Sequence, residues 1–306
     1  MRIVIALGGN ALGNDPITQK KNAILTAKSI IPIIKDGNEV IITHGNGPQV
    51  GLINLAFSEG LKINNKVYPM PFPECGAMSE GYIGYHLKEA LQNELNKANI
   101  DKSVSTIIST VLVDKNDEAF NHPTKPIGSF YTLDEIKKMN VSYMEDSGRG
   151  YRRVIASPDP VKILEEKEID TLVNKGFIVI CAGGGGIPVI LNQDNMIEGV
   201  DAVIDKDYAS SLLASSINAD ILLILTAVES VKINYKKENE VSLGKVKKCV
   251  IEEYLKDNQF GEGSMKPKVI ASLRFLNNNV HSKAIITDIE SAYLALKGLK
   301  GTIMEN

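Results

Sequence analysis

The chain has 306 residues, of which 43% are hydrophobic and 23% charged, so it can bury one large core or two smaller ones and is not expected to be disordered. Its formal net charge of -3 and the lack of a basic cluster argue against nucleic acid or a membrane surface as a partner and favour small molecules. Cys75, Cys181 and Cys249 show no Cys-x-x-Cys spacing, which predicts neither a disulfide framework nor a zinc site.

The first predicted element is a strand over residues 3–7 that ends in glycines. Its apolar residues do not alternate with polar ones, as in a parallel strand covered by helices on both faces. No side chain covers the N–H groups of Gly8 and Gly9, so a phosphate or carboxylate can approach them. A tight turn is the ordinary alternative. Similar junctions at residues 40–47 and 177–186 favour the anion site.

The start of the chain also bears on its location. The first strand follows Met1 directly, which leaves no room for a signal peptide. No apolar run approaches the roughly 20 residues of a membrane span. We therefore expect a cytoplasmic protein.

A helix and a second strand-to-glycine junction follow. Residues 17–35 have helical apolar spacing, and residues 40–43 form a short strand. Gly45, Asn46 and Gly47 come next, before a proline suited to the first turn of a helix. Such a junction offers free N–H groups and the positive end of a helix dipole, although Gly-x-Gly alone is a weak signal.

Prolines predict a loop over residues 61–75, followed by a long helix to about Ala98. Tyr82 and Tyr85 lie off the apolar stripe of this helix. They either cover a partner subunit or flank the core of the same chain, and the sequence does not decide between the two. Residues 106–113 are predicted to form the next strand, because they are rich in β-branched residues.

Residues 114–157 are read as an inserted flap, since charges, prolines and glycines interrupt the alternation of strands and helices. Thr132 and Glu135 have the spacing of a capping box for a short helix. Lys125 stands between two prolines, which stiffen the backbone that carries its ammonium group. A surface loop is the usual fate of such a segment, but a functional lid is the alternative.

The next predicted elements are a helix from residue 159 to 175 and a buried strand over residues 177–182. The strand runs into four consecutive glycines, residues 183–186. Because glycine is costly in conformational entropy, close approach of the backbone to other backbone or to a ligand is the more reasonable cause.

Residues 202–207 are predicted to form a strand that delivers Lys206 between Asp205 and Asp207, at the start of a helix to about residue 218. The ordinary interpretation is an ion-paired surface lysine. The alternative is a phosphate site, in which the lysine faces the anion and a carboxylate faces magnesium.

The last third of the chain predicts strands at residues 221–226 and 231–235, and a nucleotide base resting against that edge, near Tyr235, is one interpretation beside simple sheet packing. A helix then opens with Pro267 and Lys268 in its first turn and Lys266 just outside it. Lysine is disfavoured there by the helix dipole unless an anion is bound. Residues 284–287 form the predicted closing strand, and a short helix at residues 291–297 ends the fold.

Together these elements predict an α/β fold, a three-layer αβα sandwich with a mostly parallel central sheet. We expect one domain over residues 1–306, with the flap as a small inserted subdomain. The sequence contains no P-loop and no His-Arg-Asp motif of protein kinases, and no Ser-His-Asp or Cys-His set. Lysines and glycine junctions instead suit charge neutralisation in phosphoryl transfer.

The chain resembles the carbamate kinases of the amino acid kinase superfamily nearly end to end. The Pro-Thr-Lys-Pro-Ile-Gly flap singles out carbamate kinases, whereas the Gly-Gly-Asn and Asp-Lys-Asp elements are shared with acetylglutamate, aspartate and uridylate kinases. The blocks that carry the resemblance occur in order at residues 6–11, 43–51, 75–78, 123–128, 148–152, 183–188, 204–207 and 263–268.

The resemblance implies reversible phosphoryl transfer between ATP and carbamate with Mg²⁺, the small anion binding in the N-terminal half and the nucleotide in the C-terminal half. It assigns three sets of residues. The catalytic residues are Lys206 and Lys268, which would hold the transferring phosphoryl group, and Lys125, which would close over the substrate from the flap. Those on the substrate side are Gly8, Gly9, Asn10, Gly45, Asn46 and Gly47. Those on the nucleotide side are Lys206, Asp207, Tyr235, Met265 and Lys268, with Asp207 in the outer shell of Mg²⁺ and no certain metal ligand.

The resemblance further implies a homodimer and, in catabolism of arginine or purine derivatives, use of the reaction to form ATP. Asp159, where relatives often have lysine, and Lys266, at a variable position, depart from the pattern. Two alternatives remain at this point: a related kinase acting on another small acid or on a nucleoside monophosphate, and a nucleotide-binding sensor without catalysis.

Overall fold

The structure is a computed structural model that describes residues 1–8, 12–13, 15–139, 141–146 and 148–306. Its strands in chain order are β1 Arg2–Leu7, β2 Glu39–His44, β3 Val104–Thr106, β4 Thr110–Val113, β5 Lys125–Tyr131, β6 Tyr143–Glu145, β7 Tyr151–Ile155, β8 Pro160–Ile163, β9 Ile178–Ile180, β10 Ile187–Leu191, β11 Ile197–Gly199, β12 Ile221–Thr226, β13 Lys232–Ile233, β14 Val241–Ser242, β15 Lys245–Lys247, β16 Lys283–Asp288 and β17 Thr302–Glu305.

The helices begin where proline or a capping side chain permits. In the first helix, Asp15 accepts hydrogen bonds from the N–H groups of Ile17 and Thr18, and Pro16 occupies the first helical position. Within the described ranges, no helix combines the length and hydropathy needed to span a membrane. The helices are α1 Pro16–Lys35, α2 Gly47–Ile63, α3 Phe72–Lys97, α4 Leu133–Lys137, α5 Glu166–Asn174, α6 Lys206–Ser216, α7 Lys248–Lys256, α8 Met265–Asn278 and α9 Ala292–Leu296.

The main sheet has eight strands in the order β15-β17-β16-β12-β1-β2-β9-β3. All neighbouring pairs are parallel except β16 and β17. Strand β1 lies near the centre, and its side chains divide between two apolar cores: Val4 and Ala6 join one, Ile3 and Ile5 the other. Burial on both faces explains the apolar run without alternation. The predicted three-layer α/β fold with a mostly parallel sheet is confirmed.

Within the described residues there are three smaller sheets beside the main one, one of which pairs only β13 with β14. A four-stranded sheet has the order β11-β10-β4-β8, and the segment predicted as a flap contains a three-stranded sheet of order β5-β7-β6. This flap sheet rests on α2 through a close glycine contact, since a Cβ placed on Gly51 would lie 2.3 Å from the Cα of Gly128. The capping box of Thr132 and Glu135 is confirmed at the start of α4. The role of the flap as a lid stays a prediction.

The single strand predicted over residues 106–113 is wrong. β3 ends at Thr106, which pairs with Ile180 in the main sheet, whereas β4 begins at Thr110, which pairs with Ile187 in the four-stranded sheet. The chain therefore crosses between sheets at residues 107–109. A run of β-branched residues favours extended backbone but does not reveal that its halves have different partners.

Two predictions around prolines are also wrong. Residues 160–163 form strand β8, and the helix begins only at Glu166. Pro160 is tolerated because β8 is an edge strand, where the missing N–H costs no ladder hydrogen bond. The predicted loop is shorter than 61–75, because α2 extends to Ile63 and α3 begins at Phe72. Pro73 lies in the first turn of α3, where proline needs no intrahelical donor.

Three further boundaries differ. Residues 202–205 form no strand beyond an isolated bridge at Ala202, and Lys206 is already the first residue of α6. Lys266 lies inside the first turn of α8 and not outside it. Strand β16 does not close the fold, because β17 follows α9 and pairs antiparallel with it. Short edge elements such as β17 carry too few residues for a clear sequence period.

Candidate functional site

Two cavities adjoin at the carboxyl edge of the main sheet. We call the first the lysine cavity; its volume is about 430 Å³, and its lining includes Lys125, Lys206 and Lys268. We call the second the tyrosine cavity; its volume is about 510 Å³, and its lining includes Tyr235. Gly263, Ser264 and Lys268 line both. A crevice at the carboxyl ends of the strands is the usual ligand site of an open α/β sheet.

Two catalytic lysines predicted from the sequence converge on one carboxylate. Lys206 Nζ lies 2.5 Å from Asp207 Oδ1, and Lys268 Nζ lies 3.0 Å from Asp207 Oδ2. Lys206 begins α6 and Lys268 lies in the first turn of α8, so both stand at positive helix ends. A cation at such a position is unfavourable unless an anion is near. Asp207 is one such anion, and a bound phosphate would be another.

Charge within this group is set by burial and pairing. Burial opposes ionisation of Asp207, but Lys206 and Lys268 outweigh it and lower the pKa of this carboxyl to about 2. Burial and the neighbouring charge of Lys268 lower the pKa of Lys206, while Asp207 opposes that shift. Because two cations surround one anion, the group keeps a net positive charge that can attract a phosphoryl group.

The third predicted lysine reaches the same cavity from the flap. Lys125, the first residue of β5, lies 2.5 Å from Asp205 Oδ2 through its Nζ. Asp205 also caps α6 by accepting a hydrogen bond from the backbone N–H of Asp207. One carboxylate thus connects the flap to the helix that carries Lys206. The sequence suggested two carboxylates here but not the pairing of Asp205 with Lys125.

Gly45, Asn46 and Gly47 also line the lysine cavity, at the junction of β2 and α2. Among the described residues, no side chain caps the N-terminus of α2, and a Cβ added to Gly47 would meet nothing within 4 Å. First-turn amides without a cap can bind an anion, and anion binding at this junction stays a prediction. The Gly45 amide is not among them, because it donates to Leu7 O at 3.2 Å.

Gly8 lies elsewhere than the sequence suggested. It lines the tyrosine cavity, and its N–H donates to Leu225 O at 2.9 Å. The prediction of a free Gly8 amide is therefore wrong: β12 lies beside β1 and takes the donor that the sequence left open. Gly9 and Asn10, predicted for the same anion, lie outside the described residues, so their assignment stays a prediction.

The four glycines at residues 183–186 pack closely against other elements. Gly184, which lines the lysine cavity, has a φ of +68°, and a Cβ there would come within 2.0 Å of Asn46 Nδ2. The backbone of Gly184 is thus close to a side chain, whereas a Cβ on Gly185 would lie 2.5 Å from the carbonyl oxygen of Ile204, which is the predicted approach of backbone to backbone.

The sequence assigned no role to Arg152, which lines the lysine cavity from β7. Its Nη1 lies 3.0 Å from Asp146 Oδ2, and its guanidinium stacks on the ring of Phe130 at 5.1 Å from the centroid. The only sequence signal was its place in a resembling block, because nothing in the sequence indicates which face of a flap strand meets the cavity.

The tyrosine cavity contains both remaining predicted residues, Tyr235 and Met265, together with Phe260 and the end of β12 at Thr226. Tyr235 is 58% exposed, so its ring can accept a planar partner. The lining also includes several polar side chains, so the cavity combines an apolar and aromatic surface with hydrogen-bonding groups, which suits a flat organic ring that carries polar atoms.

The two departures from the resembling pattern form ion pairs at the periphery. Asp159 accepts hydrogen bonds from both Nη atoms of Arg274 in α8, at 2.9 and 3.1 Å. Arg274 also stacks on Tyr208 of α6, with 4.1 Å between its Cζ and the ring centroid. Lys266 pairs with Glu262 at 2.6 Å. Asp159 thus links the base of the flap to both lysine-bearing helices.

Comparison with known proteins gives a consistent result. The model of the amino acid kinase family matches residues 1–288. Carbamate kinase 3 of Staphylococcus aureus USA300 is 49% identical over 100% of this chain and 99% of its own length. Carbamate kinase of Staphylococcus haemolyticus is 50% identical over 99% of each chain.

Solved structures agree. Carbamate kinase from Giardia lamblia bound to AMP-PNP superimposes with a TM-score of 0.91 at 43% identity, covering 99% of this chain and 98% of that one. UMP kinase from Bacillus anthracis, at 16% identity and a TM-score of 0.53, shares the fold alone.

Proposed function

Because the chain belongs to the amino acid kinase family and is an ATP-dependent phosphotransferase, we propose that it is a carbamate kinase, interconverting ATP and carbamate with ADP and carbamoyl phosphate. The observation that carries this proposal is the position of Lys268 between the two cavities. Its Nζ holds Asp207 with Lys206, and its side chain lines both the lysine cavity and the tyrosine cavity.

We place the nucleotide base in the tyrosine cavity, near Tyr235 and Met265, and the small anion in the lysine cavity, near the first turn of α2. The phosphoryl group then passes where the cavities adjoin, between Lys206 and Lys268. These ammonium groups offset the charge that spreads over the equatorial oxygens during transfer. Asp207 holds the lysines in place before the substrates arrive, which avoids reorganisation during the reaction.

The reaction needs no general base, because the carbamate oxygen is already anionic. His44, which directly precedes Gly45, is not placed to act as a general base. Burial lowers its pKa to about 4, and it is absent from the lining of the lysine cavity. Positioning and charge neutralisation therefore supply the rate enhancement that we propose.

We also propose Mg²⁺ as the cofactor. Among the described residues, no cluster of three or more His, Cys, Asp or Glu side chains could hold a metal. This fits an ion carried mainly by nucleotide phosphates and water, which is how Mg²⁺ usually binds. Both oxygens of Asp207 already accept hydrogen bonds from lysines, so this carboxylate would orient groups around a bound ion and would not coordinate it directly. When bound, the ion would neutralise phosphate charge.

The flap, in this proposal, is a lid over the small anion. Lys125 lies on the flap and lines the lysine cavity, where its partner is Asp205. With 38% of its side chain exposed, Lys125 can exchange this carboxylate for an arriving anion at modest cost. The N-terminal half of the chain then binds the small anion and the C-terminal half binds the nucleotide.

The apolar surface of α2 supports a homodimer. Of the 17 residues of this helix, Gln49, Val50 and Gly51 are buried, whereas Leu52 and Ile63 are 56% and 88% exposed. Tyr82 packs against the core of its own chain, but Tyr85 is 55% exposed. Exposed apolar surface of this kind commonly marks a protein interface. Sedimentation or light scattering would give twice the monomer mass, and a monomer would contradict the proposal.

We further propose that the cell uses the reaction to form ATP, in breakdown of arginine or purine derivatives, in the cytoplasm. Carbamoyl phosphate is a mixed anhydride, so transfer of its phosphoryl group to ADP is favourable. The cysteines are free thiols, as suits a reducing compartment. Deleting the gene should make cells accumulate carbamoyl phosphate during growth on such compounds; unchanged levels would contradict this direction.

The decisive assay is ATP formation from ADP and carbamoyl phosphate with Mg²⁺. We expect turnover with carbamoyl phosphate and none with acetylglutamyl phosphate or UDP as phosphoryl donor. Preference for another acyl phosphate would favour a related small-acid kinase. Tight ATP binding without turnover on any donor would favour a non-catalytic sensor.

A further inference from the structure

Two adjacent residues of α3, Ser79 and Glu80, lie behind the lysine cavity without lining it. Their exposures are 0% and 1%, although both are polar. Burying a polar side chain costs free energy unless the side chain makes hydrogen bonds, so the hydrogen bonds of Ser79 and Glu80 indicate what these residues do.

Ser79 fixes the orientation of Asn46. Asn46 Nδ2 donates to Ser79 Oγ at 2.8 Å, and Ser79 Oγ donates to Gly76 O at 2.7 Å. The hydroxyl proton is thus committed to the helix, which leaves the oxygen as an acceptor for Asn46 alone. The Asn46 side chain is wedged against Gly184, the glycine that lines the cavity. Ser79 therefore holds one wall of the lysine cavity.

Glu80 supports the adjacent wall, which is the glycine turn over residues 183–186. Its Oε2 accepts a hydrogen bond from Ser109 N at 3.0 Å, and its side chain packs against the first glycine of the turn, since a Cβ added to Gly183 would lie 2.9 Å from Glu80 Cγ. Ser109 in turn holds both ends of the glycine turn, because its Oγ accepts from Ala182 N and its carbonyl oxygen accepts from Ile187 N, each at 2.8 Å. One carboxyl group thus fixes the turn over residues 183–186.

The surroundings of Glu80 favour its protonated form. Burial raises its pKa well above the usual value, the hydrogen bond from the Ser109 amide opposes this shift, and the charge of Glu165 adds to it. Within the described residues, Glu80 Oε1 has no hydrogen-bond partner. A protonated acid here accepts the Ser109 amide without adding negative charge behind an anion site.

We propose that Ser79 and Glu80 are positioning residues for the small anion: Ser79 aims Asn46, and Glu80 sets the glycine turn, so that the two walls of the lysine cavity keep one spacing. This inference rests on the proposed function. It extends the site to two residues of α3 that touch neither substrate nor nucleotide.

The test compares Ser79→Ala, Glu80→Ala and Glu80→Gln with Glu89→Gln, which makes the same chemical change at an exposed position of α3. ATP formation is measured while carbamoyl phosphate and ADP are varied separately. Ser79→Ala should raise KM for carbamoyl phosphate about 10-fold, and Glu80→Ala about 30-fold or more, with KM for ADP within 2-fold. Glu80→Gln keeps a neutral acceptor and should recover at least 10-fold of the Glu80→Ala loss. Glu89→Gln should match the unmodified enzyme.

A purely structural role predicts a different pattern. The melting temperature would fall, and the KM values for carbamoyl phosphate and ADP would either both change or both stay the same. Equal losses for Glu80→Gln and Glu80→Ala would also overturn the inference, since they would mean that the charge of Glu80 is what matters.

Hydrogen exchange without substrate gives a second readout that is independent of the reaction. Glu80→Ala should speed exchange at least 10-fold in peptides covering residues 182–188, while Ser79→Ala should do so only in peptides covering residues 44–51. Unchanged exchange would overturn the inference. If the unmodified chain formed no ATP, the proposed function would fail, but this exchange pattern would still decide whether α3 holds the two walls.

Discussion

Lys268 Nζ lies 3.0 Å from Asp207 Oδ2, and this contact joins the first turn of α8 to the first turn of α6. The two residues are 61 positions apart in the chain. Since Lys206 binds the other oxygen of the same carboxylate, Asp207 determines how far apart the two ammonium groups stand.

Removing one of the paired lysines should reduce catalysis strongly. Lys206→Ala is expected to lower kcat by 10²- to 10³-fold, about 3–4 kcal/mol, as for the loss of one donor at a developing anion. Lys268→Ala should behave similarly. Lys266→Ala is the matched control, because Lys266 is also in the first turn of α8 but is absent from the lining of the lysine cavity. Near wild-type kcat in both site variants would show that the assignment of these lysines is wrong.

Asp207, the carboxylate that joins Lys206 and Lys268, should make the free energy of unfolding depend on pH in the acid range. The pKa of Asp207 is lowered to about 2 in the fold, below its value in the unfolded chain. The stabilisation is therefore present above about pH 4, the unfolded value, and is lost as pH falls toward 2.

Thermal or urea unfolding between pH 5 and pH 2 measures this contribution. The free energy of unfolding of Asp207→Asn should fall less steeply over that range than that of the unmodified chain, because asparagine binds no proton. Parallel pH profiles for the two proteins would contradict the pairing.

Loss of Lys125 should affect closure more than chemistry. Lys125→Ala is expected to lower kcat/KM for carbamoyl phosphate about 10-fold, a smaller loss than for Lys206→Ala, because Lys125 is partly exposed and sits on the flap. Steady-state kinetics with ADP saturating would measure it. A loss as large as that of Lys206→Ala would place Lys125 at the transferring group instead.

The position of the flap on α2 depends on the contact between Gly51 and Gly128. Gly51→Ala would place a Cβ 2.3 Å from Gly128 Cα, which is backbone and cannot rotate away, so the flap must shift. We expect a loss of about 1–3 kcal/mol in the free energy of unfolding and a raised KM for carbamoyl phosphate. Gly81→Ala in α3 meets nothing within 4 Å and should instead stabilise by up to about 1 kcal/mol. Equal effects of the two substitutions would contradict the close contact.

Nucleotide affinity should depend on Tyr235. Tyr235→Ala removes the exposed ring from the tyrosine cavity and is expected to weaken ADP binding about 5- to 10-fold, or ~1 kcal/mol, with KM for carbamoyl phosphate unchanged. Titration calorimetry with ADP measures this directly, and Tyr235→Phe should bind ADP nearly normally. Unaltered ADP binding by Tyr235→Ala would show that the nucleotide base binds elsewhere.

The sequence by itself determined the layered sheet and much of the chemistry. Apolar runs without alternation, as in β1 and β12, indicate strands buried on both faces, because only helices on both sides remove all their side chains from water. The lysines and glycine junctions likewise indicated phosphoryl transfer, and the flap motif resembled that of carbamate kinases, because residue types at fixed local spacing are properties of the chain alone.

Tertiary structure decided what depends on partners distant in sequence. Only the fold shows that β12 takes the amide of Gly8, that Asp205 holds Lys125 across 80 positions, and that α3 supports both walls of the lysine cavity. Hydrogen bonds and ion pairs depend on distances of about 3 Å between groups that the sheet brings together. A sequence specifies which donors and acceptors exist, but the packing of helices on the sheet decides which of them are already paired and which remain for a ligand.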